Sequence, residues 1–87
     1  MKLNPKFLTH ETFGEHYMIG TGITAFNGIV KSNETAAFII ECLKSETTQD
    51  EVIDRLLAEY EGACRDTVSR DVEGVIRKLR GIGALEE

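Results

Sequence analysis

The sequence is poor in the residues, such as cysteine and histidine, with which small proteins supplement the packing of a hydrophobic core. Its 87 residues include no tryptophan, one proline, two cysteines and two histidines. Cys42 and Cys64 lack the close spacing of a metal or redox pair, so we interpret them as unpaired thiols in a reducing compartment. Hydrophobic residues make up 41% of the chain, which predicts one folded domain over residues 1–87 rather than a disordered tail.

Long apolar runs are also missing. No segment approaches the roughly 20 apolar residues that are needed to cross a bilayer. The first seven residues lack the apolar centre of a signal peptide. We therefore expect a cytoplasmic protein that does not associate with membranes.

Basic residues are fewer than acidic ones, and the net charge is unevenly distributed along the chain. The formal net charge is −5, of which residues 33–61 alone contribute −6. Residues 1–32 and 62–80 are weakly positive, at +1 and +2. An acidic ligand would therefore be repelled by the middle of the chain and not by these two segments.

The first third of the chain predicts a small antiparallel sheet. Short runs of β-branched and aromatic residues alternate with glycines, which places strands near 6–12, 15–20 and 25–31. Phe13-Gly14 would turn the first strand into the second. The alternation of side chains puts His16 and Met18 on one face of the second strand.

From Asn33 onward the apolar residues recur with a helical period, and each predicted helix has a start signal. Asn33 is a good N-cap for the first helix. Thr48 with Glu51 forms a capping-box pattern at the start of the second helix, which Gly62 can end in a left-handed conformation. We expect Asp66 to cap the third helix.

Each predicted helix has one apolar stripe, and the end of the chain, Ala84-Leu85, is expected to fold back onto the body. Three strands followed by three helices predict an α+β, winged-helix-like architecture. The stripes are Ala36, Ile39, Ile40 and Leu43 in the first helix, Ile53, Leu56, Leu57 and Tyr60 in the second, and Val68, Val72, Val75, Leu79 and Ile82 in the third.

No catalytic motif stands out. His10 and His16 lie on adjacent predicted strands and could meet across the hairpin, but two imidazoles without a third ligand do not make a zinc site. Gly20-Thr21-Gly22 lacks the third glycine and the following helix of a dinucleotide site. We therefore predict no enzyme activity, no cofactor and no metal, although an enzyme with an unrecognised catalytic cluster stays an alternative.

DNA binding is an alternative because winged helices are a common DNA-binding architecture. The third helix carries five basic residues, but three acids are interleaved with them, and the second helix is strongly acidic. The sequence pI is about 5.0, whereas phosphate binding depends on a concentrated basic surface. A DNA-binding regulator is therefore the second candidate.

Peptide binding is the first candidate, and it depends on Ile76. On a helical wheel Ile76 lies at the shoulder of the third helix's stripe, where it either belongs to the peripheral core or lines a groove. If that shoulder faces the edge of the third strand, an extended peptide could add there as a further strand. On the groove interpretation, Ile76→Asp weakens peptide binding and leaves the fold intact.

Three segments of the sequence resemble the PqqD family, the peptide-recognition domain of peptide-maturation pathways. The strongest is residues 28–40, GIVKSNETAAFII, which resembles the family's strand, turn and first helix. The second segment is residues 48–53, TQDEVI, with the apolar residues that follow it. The third is Asp71-Val72 followed by Ile76, Leu79, Gly83 and Leu85. The resemblance covers nearly the whole chain.

This resemblance implies a peptide-binding protein, a recognition element or chaperone for a ribosomally made precursor. The precursor's leader would add as a strand beside the third strand and pack on the third helix. The implied partner is a modifying enzyme, commonly a radical S-adenosylmethionine enzyme that holds its own iron–sulfur cluster. The implied peptide-binding residues are Asn27, Gly28, Ile29, Val30 and Lys31 on the strand side, and Ser69, Val72, Glu73, Ile76 and Arg80 on the helix.

Several alternatives remain open at this point. The pathway could make pyrroloquinoline quinone (PQQ) or another modified peptide, and the sequence names neither the precursor nor the product. A structural adaptor that binds only folded protein would have no affinity for an extended leader. The protein could be a monomer or a dimer through its exposed strand edge.

Overall fold

The computed structural model describes residues 1–20 and 29–87, in which all strands but a short last one precede the helices. The predicted α+β class is confirmed. The winged-helix comparison fits only loosely, because the three-stranded sheet lies ahead of all three helices. The elements are β1 (Lys2–Leu3), β2 (Phe7–Thr12), β3 (Glu15–Gly20), β4 (Ile29–Ser32), α1 (Glu34–Cys42), α2 (Gln49–Glu59), α3 (Arg65–Gly81) and β5 (Leu85–Glu86).

The main sheet is antiparallel in the order β2-β3-β4. Thr12 pairs with Glu15, so Phe13-Gly14 forms a two-residue turn, as predicted. Both turn residues have positive φ, 50° at Phe13 and 74° at Gly14, which is the geometry that matches the twist of a hairpin. The predicted third strand, 25–31, is observed as Ile29–Ser32, and residues 25–28 lie outside the described ranges.

The two faces of this sheet differ because side chains alternate along each strand. Phe7 and Met18 are buried on the inner face, and Val30, which pairs with Met18, is half-buried beside them. On the outer face, Leu8 and Ile29 are exposed. Only the inner face therefore contributes to the core, and it places β4 beside the helices.

The helix starts follow the sequence in two cases out of three. The Asn33 side chain accepts a hydrogen bond from the Ala36 N–H at 2.8 Å, and the Thr48 hydroxyl accepts one from the Glu51 N–H at 3.2 Å. The prediction that Asp66 caps α3 is wrong. The helix begins one residue earlier, after an extended Cys64 that provides no side-chain cap, and Asp66 lies in its first turn.

The core is one cluster to which all three helices and the sheet contribute. Gly62 has the predicted left-handed φ, 79°, but α2 ends earlier than expected, at Glu59, with an extended Tyr60 as its C-cap. None of the helices in the described ranges is long and apolar enough to cross a membrane. The largest fully buried side chains are Met18, Ile39, Leu43, Leu56, Ile76, Val52, Val72 and Cys42.

A second, two-stranded sheet ties the ends of the described chain together. β1 pairs antiparallel with β5, with Leu3 opposite Leu85. The Leu3 N–H donates to the Leu43 carbonyl and the Asn4 N–H donates to the Ala84 carbonyl, both at 2.7 Å. The predicted return of Ala84-Leu85 onto the body is confirmed, whereas the pairing with residues 2–3 was not predicted.

The hairpin turn yields a stability prediction. Phe13 is fully exposed and holds a left-handed φ, a conformation that costs most L-residues about 1 kcal/mol and that Asn adopts more readily. Phe13→Asn should therefore raise the free energy of unfolding in urea by about 1 kcal/mol. Phe13→Ala is the control, because it removes the same exposed ring without relieving φ. Equal stability of the two variants would contradict the explanation.

Candidate functional site

The edge of β4 that faces away from β3 is the first component of the candidate site. β3 occupies one edge of β4 through pairs that run from His16 opposite Ser32 to Ile19 opposite Ile29. In residues 1–20 and 29–87, no strand pairs with the other edge. An edge of this kind carries backbone N–H and C=O groups that can pair with an added strand.

A cleft of about 430 Å³ lies between β4 and α3. One wall comes from β4 and the start of α1, and the opposite wall from α3. Its apolar lining includes Val30, Val75 and Ile82, which are half-buried and pack on the core from the outside. The cleft therefore combines partly exposed apolar side chains with a neighbouring strand edge.

Gly74 lies in the α3 wall of this cleft. A Cβ placed on it would have no heavy atom within 4 Å. The missing side chain therefore leaves open space above the middle of the helix, at a cost of about 1 kcal/mol in helix propensity relative to alanine. That space widens the cleft where a ligand side chain could enter.

The charged residues of the α3 wall are Arg70, Asp71 and Lys78. The other three basic residues of α3 are in ion pairs: Arg65 with Asp54 at 3.0 Å, Arg77 with Glu73 at 2.7 Å, and Arg80 with Glu87 at 2.5 Å. Over the described chain, Arg70 and Lys78 have no ion-pair partner. The helix thus presents its two unpaired cations to the cleft.

Lys31 also lines the cleft, but its charge is already paired. Its amino group lies 3.1 Å from a Glu15 carboxylate oxygen. The hydrogen bond from the Tyr17 hydroxyl, and to a lesser degree the one from Lys31, lowers the pKa of Glu15. The bond between Tyr17 and Glu15 also raises the pKa of Tyr17. Glu15 therefore stays ionised at neutral pH and holds Lys31 toward the outer face of the sheet.

Only some of the residues predicted for the strand side of the site lie at the cleft. Val30 and Lys31 line the cleft. Ile29 is on the outer face of β4, with 66% of its surface exposed. Asn27 and Gly28 lie outside the described residues.

The helix side differs from the geometry that the sequence suggested. Val72 and Ile76 are 0% and 2% exposed, so of the two positions that the sequence left open for Ile76 the core is the one observed, and contact of either residue with a peptide stays a prediction. Ser69 is half-exposed, and Glu73 and Arg80 are exposed and ion-paired. None of these five residues lines the cleft.

The reason is a rotation of the helix relative to the predicted stripe. The buried residues of α3 are Val68, Val72, Ile76 and Leu79, so the stripe is centred closer to Ile76 than the sequence suggested. Val75 becomes the shoulder residue instead and reaches the cleft. Residues 70, 74 and 78 were missed, although their spacing of four places them on one line along a helix.

A second cleft, of about 560 Å³, lies between the turn end of the β2–β3 hairpin and helices α1 and α2. Its lining is acidic, with Glu34 and Glu59 among its carboxylates. Phe38 and Tyr60 meet there edge to face, with ring centroids 6.0 Å apart. The two clefts therefore differ in the sign of their charge.

The two histidines do not form a pair. His10 is opposite Tyr17 and His16 is opposite Glu11 across the hairpin, so the imidazoles lie on opposite faces of the sheet. His16 Nδ1 is 3.4 Å from a Glu11 oxygen. The part of the chain that the structure describes contains no group of three side chains able to hold a metal ion.

The family follows from a comparison with protein-family models. The model described as coenzyme PQQ synthesis protein D (PqqD) matches residues 11–85. The chain belongs to the PqqD family. The resemblance noted in the sequence is thereby confirmed, and a search of curated proteins found no significantly similar sequence.

Two solved structures share the fold of this PqqD-family protein. "TbiB1 in Complex with the TbiA(beta) Leader Peptide" has a TM-score of 0.80 and 22% identity, over 99% of this chain and 95% of the other. "Lasso peptide synthetase B1 complexed with the leader peptide" has a TM-score of 0.77 and 22% identity, over 99% and 96%. The DNA-binding alternative finds no support in these comparisons.

The placement of α3 can be tested with two neighbouring residues. Ile76→Ala should lower the free energy of unfolding by about 2–5 kcal/mol, because it leaves a cavity in the core. Val75→Ala should cost about 1 kcal/mol or less, because that side chain is half-exposed and loses little buried area. Urea denaturation measures both values. A larger loss for Val75→Ala would mean that the helix is rotated the other way.

Proposed function

We propose that this PqqD-family protein binds the leader segment of a ribosomally made precursor peptide in the cleft between β4 and α3. The observation that carries the proposal is the outer edge of β4, which pairs with no strand of residues 1–20 and 29–87 and borders a cleft lined by apolar residues of α3. A peptide strand added to β4 would satisfy that edge with main-chain hydrogen bonds. Alternate side chains of the peptide would then point into the cleft.

The comparisons support the same interpretation. Both similar structures are complexes with a leader peptide, and the family's description refers to the synthesis of coenzyme PQQ. We extend leader binding to this chain because its β4 edge and its cleft provide what an extended peptide needs.

The contact residues that we propose combine the sequence prediction with the observed rotation of α3. On the strand side they are those predicted for residues 27–31, which precede and form β4. On the helix side, Gly74 and Val75 take the place of Val72 and Ile76, which are buried in the core. Ser69, Glu73 and Arg80 would contact only a peptide that extends beyond the cleft.

The proposed role is presentation rather than catalysis. Holding the leader raises the local concentration of the precursor's modifiable core at a partner enzyme. We propose that this partner is a modifying enzyme, a radical S-adenosylmethionine enzyme in the first instance, which would hold its own iron–sulfur cluster. We propose further that residues 1–87 act as one cytoplasmic domain.

A blocking substitution tests the proposed location. Gly74→Leu would fill the cleft from the α3 wall and should not perturb the fold, since a side chain there meets open space. It should weaken binding of the synthetic leader of a precursor encoded beside this protein by at least tenfold, about 1.4 kcal/mol. Isothermal titration calorimetry would measure the affinity, and NMR shifts confined to 29–32 and 70–82 in the unmodified protein would locate the binding.

The matched control is Gly81→Leu. Gly81 ends the same helix and is exposed, and a Cβ added to it would also have no heavy atom within 4 Å, but it does not line the cleft. The leader affinity of this variant should match that of the unmodified protein. Equal affinity of the two variants would place the peptide elsewhere. NMR shifts with a random DNA duplex that fade as salt rises, and none with the leader, would revive the DNA-binding alternative.

A further inference from the structure

We infer that the cleft selects an apolar peptide segment that carries two carboxylates, one beside Arg70 and one beside Lys78. This inference rests on the proposed function and specifies the peptide's chemistry. Both cations line the cleft, and the described chain offers neither of them an ion-pair partner, although it pairs the other three basic residues of α3. A ligand with one carboxylate beside each cation would supply the missing ion-pair partners.

The contrast with the rest of the surface strengthens the inference. The formal net charge of the chain is −5, and the other cleft is acidic. An acidic peptide would be repelled by the acidic residues 33–61 and accepted at the α3 wall of this cleft. Electrostatic complementarity of this kind acts mainly on specificity and on the rate of association.

The spacing of the two cations predicts the spacing of the carboxylates. Arg70, Gly74 and Lys78 follow one another at intervals of four, so Lys78 lies eight positions after Arg70, about 12 Å along a helix. An extended peptide that runs along α3 covers about 13 Å in four residues. Residues an even number apart point to the same side of a strand, so both acids would face the helix.

The middle of that peptide segment would face the gap at Gly74. Val75 and Val30 border the same cleft, so an apolar side chain would be favoured there. The predicted pattern is acid, any residue, apolar, any residue, acid.

Two other charges limit the selectivity. Asp71 also lines the cleft, next to Arg70 in the sequence, so a uniformly acidic peptide would meet repulsion as well as attraction. Lys31 is already held by Glu15 at 3.1 Å and adds little. We therefore expect acids to be favoured at two positions rather than along the whole segment.

The test is a selection from a display library of random 12-residue peptides on the unmodified protein. Peptides that also bind the Gly74→Leu variant are removed, which leaves those that need the cleft. Enrichment of two acids four positions apart with an apolar residue between them is the expected result.

The selected peptide is then measured against two double variants of equal charge change. Arg70→Glu with Lys78→Glu should weaken its binding at least tenfold. Arg65→Glu with Arg77→Glu, on the same helix and outside the cleft, should change it less than twofold. Replacing the peptide's two acids by Lys should restore binding to the first variant, which shows that this variant is still folded.

The outcomes separate this inference from the proposed function. Cleft-dependent peptides that are neutral or basic would overturn the charge selectivity and leave strand addition standing. The absence of any cleft-dependent peptide would overturn the proposed function itself. Equal losses in the two double variants would show a general charge effect and would also overturn the selectivity.

Discussion

The packing of the α3 stripe into the core is the constraint on which the rest of the site depends. Val68, Val72, Ile76 and Leu79 are buried, and they fix the rotation of the helix about its axis. Because a helix turns by about 100° per residue, burying Ile76 brings Val75 to the shoulder and directs Gly74 toward the cleft. The same rotation brings Arg70 and Lys78 to the cleft and leaves Arg77 and Arg80 to pair elsewhere. A packing requirement of the core thus decides which residues can meet a ligand.

Among the described residues, the main sheet leaves the outer edges of β2 and β4 without a strand partner, and the edge of β4 is the one that borders the cleft. β3 has a strand on each side, whereas β4 ends the sheet beside α3. Exposed edges are a liability in soluble proteins because they can pair with other chains. Here α3 lies across the cleft from the edge and places Arg70, Asp71 and Lys78 beside it. In our proposal, the edge that would invite aggregation in an unguarded sheet serves as a selective binding site.

The two clefts also differ in charge. The acidic residues are concentrated in residues 33–61, and several of them line the cleft formed with α1 and α2. The α3 wall of the other cleft carries two unpaired cations beside one carboxylate. The net charge of −5 therefore describes the molecule as a whole and not the surface that we propose binds the peptide.

The sequence by itself determined the order of the three main-sheet strands and the three helices, the caps at Asn33 and Thr48 and the Phe13-Gly14 turn, because each depends on residues close together in the chain. It also indicated the PqqD family. It did not determine the pairing of Lys2–Leu3 with Leu85–Glu86 or the true start of α3, since β1 and β5 lie more than 80 residues apart and Cys64 provides no capping signal. It could not decide whether Val75 or Ile76 is buried in the core. Both fit a helical stripe, and only the packing of α3 against α1, α2 and β5 sets which of them is buried.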